Sequence, residues 1–360
     1  MINRALKKGV KIVVIILAVI AVLLIIAGIV LFGTDPKTKE IKNEGVVVEG
    51  SIAEIVELEI DNSKQYLLIR GHSQDNPVLL FLHGGPGQSE IGYIREYQAE
   101  LEKHYIVVRW DQRGAGLSRD KNIPAESYSS DVFLKDTQFV TDYLLKRFNK
   151  SKILLSGHSW GSVLGLLSVS NFPEKYSGYI GIGQMVNHEE GEKLSWNYVC
   201  ERAGESGNTE ALKELESVGP DFYRTFEGLM TQRKWLGYFG GVFKNGNGSE
   251  LARSLLKNSE YPFPYKLSYQ KSALHSAKMM MEELYDFNFF SDVKEVKVPV
   301  WFISGEDDYA TPLALVELYY KELKAPSKKL IIFENSAHMP QLEENERFNQ
   351  LVISIKNQLL

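Results

Sequence analysis

Gly157-His158-Ser159-Trp160-Gly161 sets a serine between two glycines, after the apolar run 153–155 and ahead of an apolar stretch with helical period. A hydroxyl that attacks a carbonyl must stand exposed at a strand's carboxyl end, on a turn too tight for bulky neighbours. Glycines two residues to either side permit that turn. The pentapeptide alone is a weak signal, but its strand–turn–helix context makes Ser159 the candidate nucleophile. A serine hydroxyl reacts poorly until a base takes its proton, and a carboxylate must orient the base. On an elbow of this kind the acid and then the base follow the serine in the chain.

Three histidines lie downstream, His188, His275 and His338. The first two fall in a helical stretch, whereas His338 follows the last apolar run, 329–333, in a loop that would return over the sheet's carboxyl edge. Ligands of open α/β sheets bind at that edge, so His338 is the candidate base. The acid is sought in 305–312, where Glu306, Asp307 and Asp308 stand in a row and two of the three are expected to be solvated. Asp308 is preferred, three residues past Gly305 and four before Pro312, with Asp307 and Glu306 as alternatives.

His83-Gly84-Gly85-Pro86-Gly87 follows the apolar run 78–82. Its glycines let the backbone approach a substrate and aim an N–H at a developing oxyanion, with Gly85 preferred over Gly84. The N–H of Trp160, the residue after the nucleophile, supplies the second donor. The plain alternative is a tight turn without chemistry. The histidines lack metal-ligand spacing such as His-x-x-x-His, so no metal is expected, and acyl transfer of this type requires no organic cofactor. The single cysteine, Cys200, excludes an internal disulfide or a cysteine-cluster metal site and reads as a small buried hydrophobe.

These groups need a scaffold to bring them together. Short β-branched runs at 52–60, 66–71, 78–82, 105–110, 153–156, 179–182, 298–303 and 329–333 read as strands. From 78 onward they are nearly continuous apolar runs, as in parallel strands covered on both faces, while the first two alternate like an antiparallel edge hairpin. Helical patterns fall between them at 93–103, 130–148, 163–171, 313–324 and 344–359. The alternation predicts a doubly wound, mostly parallel eight-stranded α/β sheet formed by 51–183 and 298–360. The interval 184–297 lacks a clear strand, is too long for a structureless loop and is rich in aromatics, so it reads as an inserted helical cap.

The 360 residues exceed the roughly 100–200 of one typical domain. Charged residues at 24% and apolar ones at 44% exclude a disordered or collagen-like chain. Residues 1–42 carry a charge of +5, leaving −10 on the rest, a balance that disfavours nucleic acid as a partner. Ile12 to Phe32 is an uncharged apolar run of 21 residues. As a helix it would extend about 31 Å, close to the hydrocarbon thickness of a bilayer. Arg4, Lys7, Lys8 and Lys11 precede it, so by the positive-inside rule residues 1–33 form a single-pass anchor with a cytoplasmic amino terminus. The catalytic body then lies on the extracytoplasmic side, joined by a polar linker at 34–50. A cleaved signal peptide, whose apolar region is usually about 7–15 residues, is the alternative.

The motifs together resemble the proline iminopeptidase branch of the α/β-hydrolase superfamily. The resemblance rests on His83–Gly87, on Asp111-Gln112-Arg113-Gly114-Ala115-Gly116-Leu117-Ser118, on 157–161, on the Gly-x-x-Asp-x-x-x-Pro of 305–312, and on Ala337-His338. It implies a Ser159, Asp308, His338 triad, oxyanion donors at Gly85 and Trp160, and a segment 111–118 that shapes the pocket base. It also implies cap glutamates that hold a substrate's α-ammonium; Glu189 and Glu190, with Glu192, are candidates, although acidic residues on a helix are commonly a solvated face. Two departures stand out: Gln184 occupies a place where the resemblance leads one to expect arginine, and typical members carry no anchor. The expected function is a membrane-anchored serine hydrolase, aminopeptidase-like on short peptides or amides. The alternatives are a carboxylesterase or lipid esterase of the same fold and a non-catalytic receptor or scaffold.

Overall fold

Val78–Leu82 shows how the sheet is covered. Val78, Leu80 and Leu82 enter the apolar layer on one face, and Leu79 and Phe81 enter the layer on the other. Period-two side-chain alternation makes an all-apolar strand serve two cores at once. The computed structural model describes residues 2–32, 35–244, 248–285 and 287–359, and within its first helix the side chains of residues 9–23, 25 and 28.

The strands are β1 (Lys42–Asn43), β2 (Val46–Val47), β3 (Ile52–Ile60), β4 (Ser63–Gly71), β5 (Val78–Leu82), β6 (Ile106–Asp111), β7 (Ile153–His158), β8 (Tyr176–Ile182), β9 (Val300–Gly305) and β10 (Lys328–Phe333). β3 to β10 form one eight-stranded sheet in the order β10-β9-β8-β7-β5-β6-β4-β3. Every neighbour pair is parallel except β3 with β4 and β4 with β6, so β4 alone runs against the rest. The order of the central strands places the carboxyl ends of β5, β7, β8 and β9 along one rim.

The helices are α1 (Ile2–Phe32), α2 (Arg95–Gln98), α3 (Ser130–Arg147), α4 (Trp160–Asn171), α5 (His188–Glu205), α6 (Thr209–Val218), α7 (Phe226–Tyr238), α8 (Ser249–Lys257), α9 (Phe263–Met280), α10 (Phe289–Asp292), α11 (Leu313–Glu322), α12 (Pro340–Glu343) and α13 (Asn345–Leu359). Phe133 and Val140 of α3, Val163 and Leu166 of α4, and Val316 of α11 line one face; Phe348, Val352 and Ile355 of α13 line the other. Full burial of one such side chain contributes about 1.5–3 kcal/mol. The helix expected at 93–103 is split: at Gln98, the last residue of α2, the backbone leaves helical geometry (φ −131°, ψ 18°), and a tighter 3₁₀ turn follows over Ala99–Lys103. Buried Arg109 takes the Gln98 side-chain oxygen as acceptor, a bond that draws this residue inward.

Between β8 and β9, α5 to α10 form the cap, with no strand among the described residues beyond an isolated bridge from Asn187 to Asn288. The linker stretch is partly ordered against the body. β1 pairs with β2, Ile41 is buried, Thr38 donates to Glu260 Oε1 at 2.7 Å, and Arg70 donates to Thr38 Oγ1 at 2.7 Å. In α1 the aliphatic side chains from Val10 to Ile25 are 47–62% exposed wherever they are described. The run expected as an anchor includes Leu24, Ile26, Ala27 and 29–32, whose side chains lie outside the described residues. Among the described residues, no helix is long and apolar enough to cross a membrane.

Candidate active site

β7 ends at His158 and α4 begins at Trp160, leaving Ser159 alone on the corner with φ 53° and ψ −120°. That left-handed backbone suits a non-glycine residue only when its surroundings hold it. Here the Ser159 N–H donates to Ile182 O at 3.0 Å and the N–H of Ser162 donates to Ser159 O at 2.8 Å. The corner closes because Gly161 lies against β5: a Cβ there would stand 2.7 Å from His83 O.

Asp308 follows β9 and is buried, as is His338 after β10. Asp308 Oδ1 accepts from the N–H groups of Ala310 (3.0 Å) and Thr311 (2.8 Å), and Oδ2 accepts from Thr311 Oγ1 (2.7 Å). The same Oδ2 lies 2.9 Å from His338 Nδ1. The two neighbouring acids turn away: Asp307 pairs with Lys244 at 2.6 Å, and Glu306 is 55% exposed near the same lysine. His338 is fixed through its backbone, its N–H donating to Val242 O of the cap at 3.0 Å and its carbonyl accepting from His158 Nε2 at 2.9 Å. Gly183 leaves room for the ring, since a Cβ there would meet His338 Cε1 and Nδ1 at 3.0 Å. The His158 ring, next in sequence to Ser159, has its centroid 4.7 Å from that of His338. No hydrogen bond joins the Ser159 hydroxyl to His338 among the described residues. Nucleophile–base bonds are often long in a free enzyme and tighten when substrate binds.

The loop after β5 passes directly by the serine, because a Cβ on Gly84 would stand 3.1 Å from Ser159 Cβ. Gly85 has φ +115°, and a side chain there would press on Gly87 N at 2.6 Å and Gln88 N at 2.7 Å. Gln112 ties this loop to α4. Its N–H donates to His83 Nε2 at 3.1 Å, its side-chain amide donates to His83 O at 3.0 Å, and its Oε1 accepts from Trp160 Nε1 at 3.1 Å. Burial pushes His83 down to about 4 and His158 down to about 3, the latter helped by the adjacent His338 ring, so both imidazoles are neutral. With Nδ1 at 2.8 Å from Gly84 O and Nε2 accepting from Gln112, His83 carries its proton on Nδ1.

Glu189 and Glu190 sit in the first turn of α5, 55% and 54% exposed, both paired with Lys193 at 2.9 Å. Glu192 is buried instead: one oxygen binds Arg233 and the other, Oε2, has no protein partner. Beside it the buried His188 has both ring nitrogens unpartnered, with Nδ1 3.9 Å from Glu192 Oε1. His188 and Glu192 line a cleft that reaches Thr311 and Gln184. Gln184 accepts from Tyr179 OH at 2.8 Å and donates to Met185 O at 2.8 Å. Its partners are all neutral, so an arginine there would lack a counter-charge. Cys200 is partly exposed, and burial raises its thiol pKa. Among the described residues, no group of three His, Cys, Asp or Glu could hold a metal ion.

Two contributors were not singled out from sequence. Thr311 bridges Asp308 and His338, with its Oγ1 3.2 Å from Nδ1; the Asp-x-x-Thr spacing of a side-chain-capped turn was the available signal. His158 was visible as a polar residue inside the pentapeptide. Of the three cap glutamates named from sequence, Glu192 is the one in register with the buried Ser195, Val199 and Ala203.

The class follows from fold and corner together. Residues 77–345 match the family model described as alpha/beta hydrolase fold, and the chain belongs to that family. Within it the chain falls in the proline iminopeptidase-like branch and is an enzyme of the serine-hydrolase kind. It is 41% identical over 302 residues to the "Probable aminopeptidase YbaC" of Bacillus subtilis (strain 168), covering 83% of this chain and 94% of that one. It is 25% identical over 309 residues to the "Proline iminopeptidase" of Lactobacillus delbrueckii subsp. bulgaricus, covering 82% and 95%. A solved structure of a membrane phospholipase A superposes with a TM-score of 0.61 at 20% identity, covering 98% of this chain and 99% of that one, a likeness that shows the fold alone.

Proposed function

We propose that Ser159, His338 and Asp308 form a catalytic triad that hydrolyses short peptides or amides from their amino end by acyl transfer. The observation that carries this is the 2.9 Å contact between Asp308 Oδ2 and His338 Nδ1, beside a serine held on a left-handed corner. Asp308 holds the proton on Nδ1 and leaves Nε2 with its lone pair. A side-chain rotation brings the Ser159 hydroxyl to Nε2; Oγ attacks the carbonyl carbon as its proton passes to His338. The backbone N–H groups of Gly85 and Trp160 take the negative charge that forms on the carbonyl oxygen. The imidazolium then protonates the leaving amine, the C–N bond breaks, and the acyl-enzyme remains. Water, deprotonated by His338, releases the acid and restores the hydroxyl.

The name of the Bacillus subtilis relative supports an amino-end substrate, as does Glu192, whose Oε2 is the buried, unpartnered acceptor beside the site. α1 anchors the enzyme in a membrane: its described aliphatic side chains from Val10 to Ile25 are 47–62% exposed, and the four cations before them keep the amino terminus in the cytoplasm. Because that anchor would hold the site near lipid, an ester-cleaving enzyme of the same fold is the second reading.

A fluorophosphonate probe tests the chemistry. Wild type is expected to label at Ser159 and Ser159→Ala to stay unlabelled; equal labelling of both removes the triad. Parallel turnover of alanine-amide, proline-amide and acyl-ester substrates tests the substrate class, and ester cleavage without amide cleavage replaces the peptidase reading by the esterase one. Extraction of the full chain from membranes by alkaline carbonate would remove the anchor.

A further inference from the structure

We infer that Tyr261 and Tyr269 of the cap are positioning residues for the oxyanion loop, so that seating of the cap and assembly of the oxyanion hole are one event. The inference rests on the hydrolase reading above. The loop 83–89 is held at its start by Gln112 through His83, and at its end by Ser89. Both tyrosines reach Ser89. Tyr269 OH donates to Ser89 O at 2.7 Å, and Tyr261 OH lies against Ser89 Oγ and donates to Asp111 Oδ2 at 2.7 Å. Ser89 Oγ in turn donates to Asp111 Oδ1 at 2.5 Å.

Between these ends α9 lies on the loop itself: a Cβ on Gly87 would stand 2.6 Å from Ser276 Cβ and 3.1 Å from Ala273 O. Ser276 Oγ also donates to Gly114 O at 3.3 Å. A single cap helix and the turn leading into it therefore touch both loops that flank the oxyanion hole.

Asp111 makes the coupling costly to break. It is fully buried, and its stabilising partners are donors without a formal charge: Ser89, Tyr261 and the N–H of Leu117 at 2.7 Å. Burial pushes its carboxyl up to about 7 in spite of those donors. Glu90 adds like charge from the same loop, and Arg109, the nearby cation, is taken by Glu90 at 2.7 Å. Lifting α9 would take a donor from a buried carboxylate and release the end of the loop four residues past Gly85. An unsatisfied buried acceptor is expensive, so loop and cap move together.

The test compares Tyr261→Phe, Tyr269→Phe and, on the same helix, Tyr265→Phe as control. The probe is a peptide-like boronic acid, which Ser159 Oγ attacks while its proton passes to His338, giving a tetrahedral anion with an oxygen in the hole. Misplacement of a reacting group by about 1 Å costs about 100-fold, and loss of a donor about 100- to 1,000-fold. A partly displaced loop is accordingly expected to lower kcat by about 10- to 100-fold in either Phe variant, with KM within about twofold. Boronate affinity should fall by the same factor as kcat, and Tyr265→Phe should match wild type. Unchanged kcat and boronate affinity, or a loss confined to KM, overturns the inference. If Tyr261→Phe does not fold, Tyr269→Phe alone decides. Wild type that binds neither boronate nor fluorophosphonate would instead defeat the hydrolase reading.

Discussion

The sheet core and the cap treat buried polar groups differently. Near the nucleophile, Asp308 and His83 have their hydrogen-bonding atoms committed to neighbours, and the buried atoms left over in the central strands β7 and β9, at Ser156 and Ser304, are small neutral hydroxyls. In the cap, His188, Glu192 and Tyr285 leave unpartnered polar atoms close together, with the His188 and Tyr285 rings 6.1 Å apart. A finished network fixes geometry and suits chemistry that is the same for every substrate. An unfinished one suits recognition, because a ligand can complete it. On the proposed mechanism, the core sets the reaction and the cap sets what is admitted.

The comparison breaks most visibly at the nucleophile. Ser159→Ala is expected to lower kcat by about 10⁶-fold in amide turnover while product binding persists, since the cap is intact. Asp308→Asn should cost about 10⁴-fold, by presenting the wrong imidazole tautomer, and Asp307→Asn, on the surface with Lys244, should cost nothing measurable. Smaller effects belong to the cap. A hydrogen bond to a charged group is worth about 1.5–3 kcal/mol. Glu192→Gln should therefore raise KM about 10- to 100-fold for substrates with a free amino end and leave acylated ones unchanged, with Glu190→Gln near wild type. If Glu190→Gln behaves like Glu192→Gln, the division fails.

Stability against pH sharpens the contrast further. An unfolded histidine titrates near 6.5, whereas folded His83 and His158 stay neutral to about 4 and about 3. Below 6.5 the unfolded chain therefore binds two protons that the folded chain refuses, and stability falls as pH falls through that window. Asp111 works in the opposite sense, holding its proton to about 7 when folded but only to near 3.8 when unfolded, so its contribution is lost as pH rises between those values. His158→Gln should make the acid slope of stability shallower by about 1.4 kcal/mol per pH unit, read from denaturant melts between pH 4 and 6. The smallest effect on rate is expected from deleting α1: kcat within about twofold, with the protein moving from the membrane pellet to the supernatant.

Much of the core was legible because strands buried on both faces announce themselves as apolar runs and because a nucleophile corner demands small residues at fixed offsets. Ile52–Ile60 and Val78–Leu82 match the expected limits, and the other strands shift by one to three residues, in part because polar ends such as Ser63 and His158 continue the ladder. Asp308 could be preferred over Asp307 in sequence only by its distance from Gly305 and Pro312, whereas in space it is burial that separates them. The cap was legible only as a helical interval. Its α5 buries positions 188, 192, 195, 199 and 203, a stripe whose register was open until the amino-terminal cap, Asn187, was known. That register turns Glu192 inward and Glu189 and Glu190 outward. Contacts such as Tyr261 with Ser89 join residues 172 positions apart, and no local pattern encodes them.

Thr38 is already bonded to the cap's Glu260 only six residues after α1 ends at Phe32. Six residues reach about 21 Å at full stretch. Wherever the first helix is held, the body is on a short leash whose fixed end is the cap's own rim, so it cannot roll freely or reach far into solution. With that helix in a membrane, as proposed, its substrates would be those that come to within a protein's width of the bilayer.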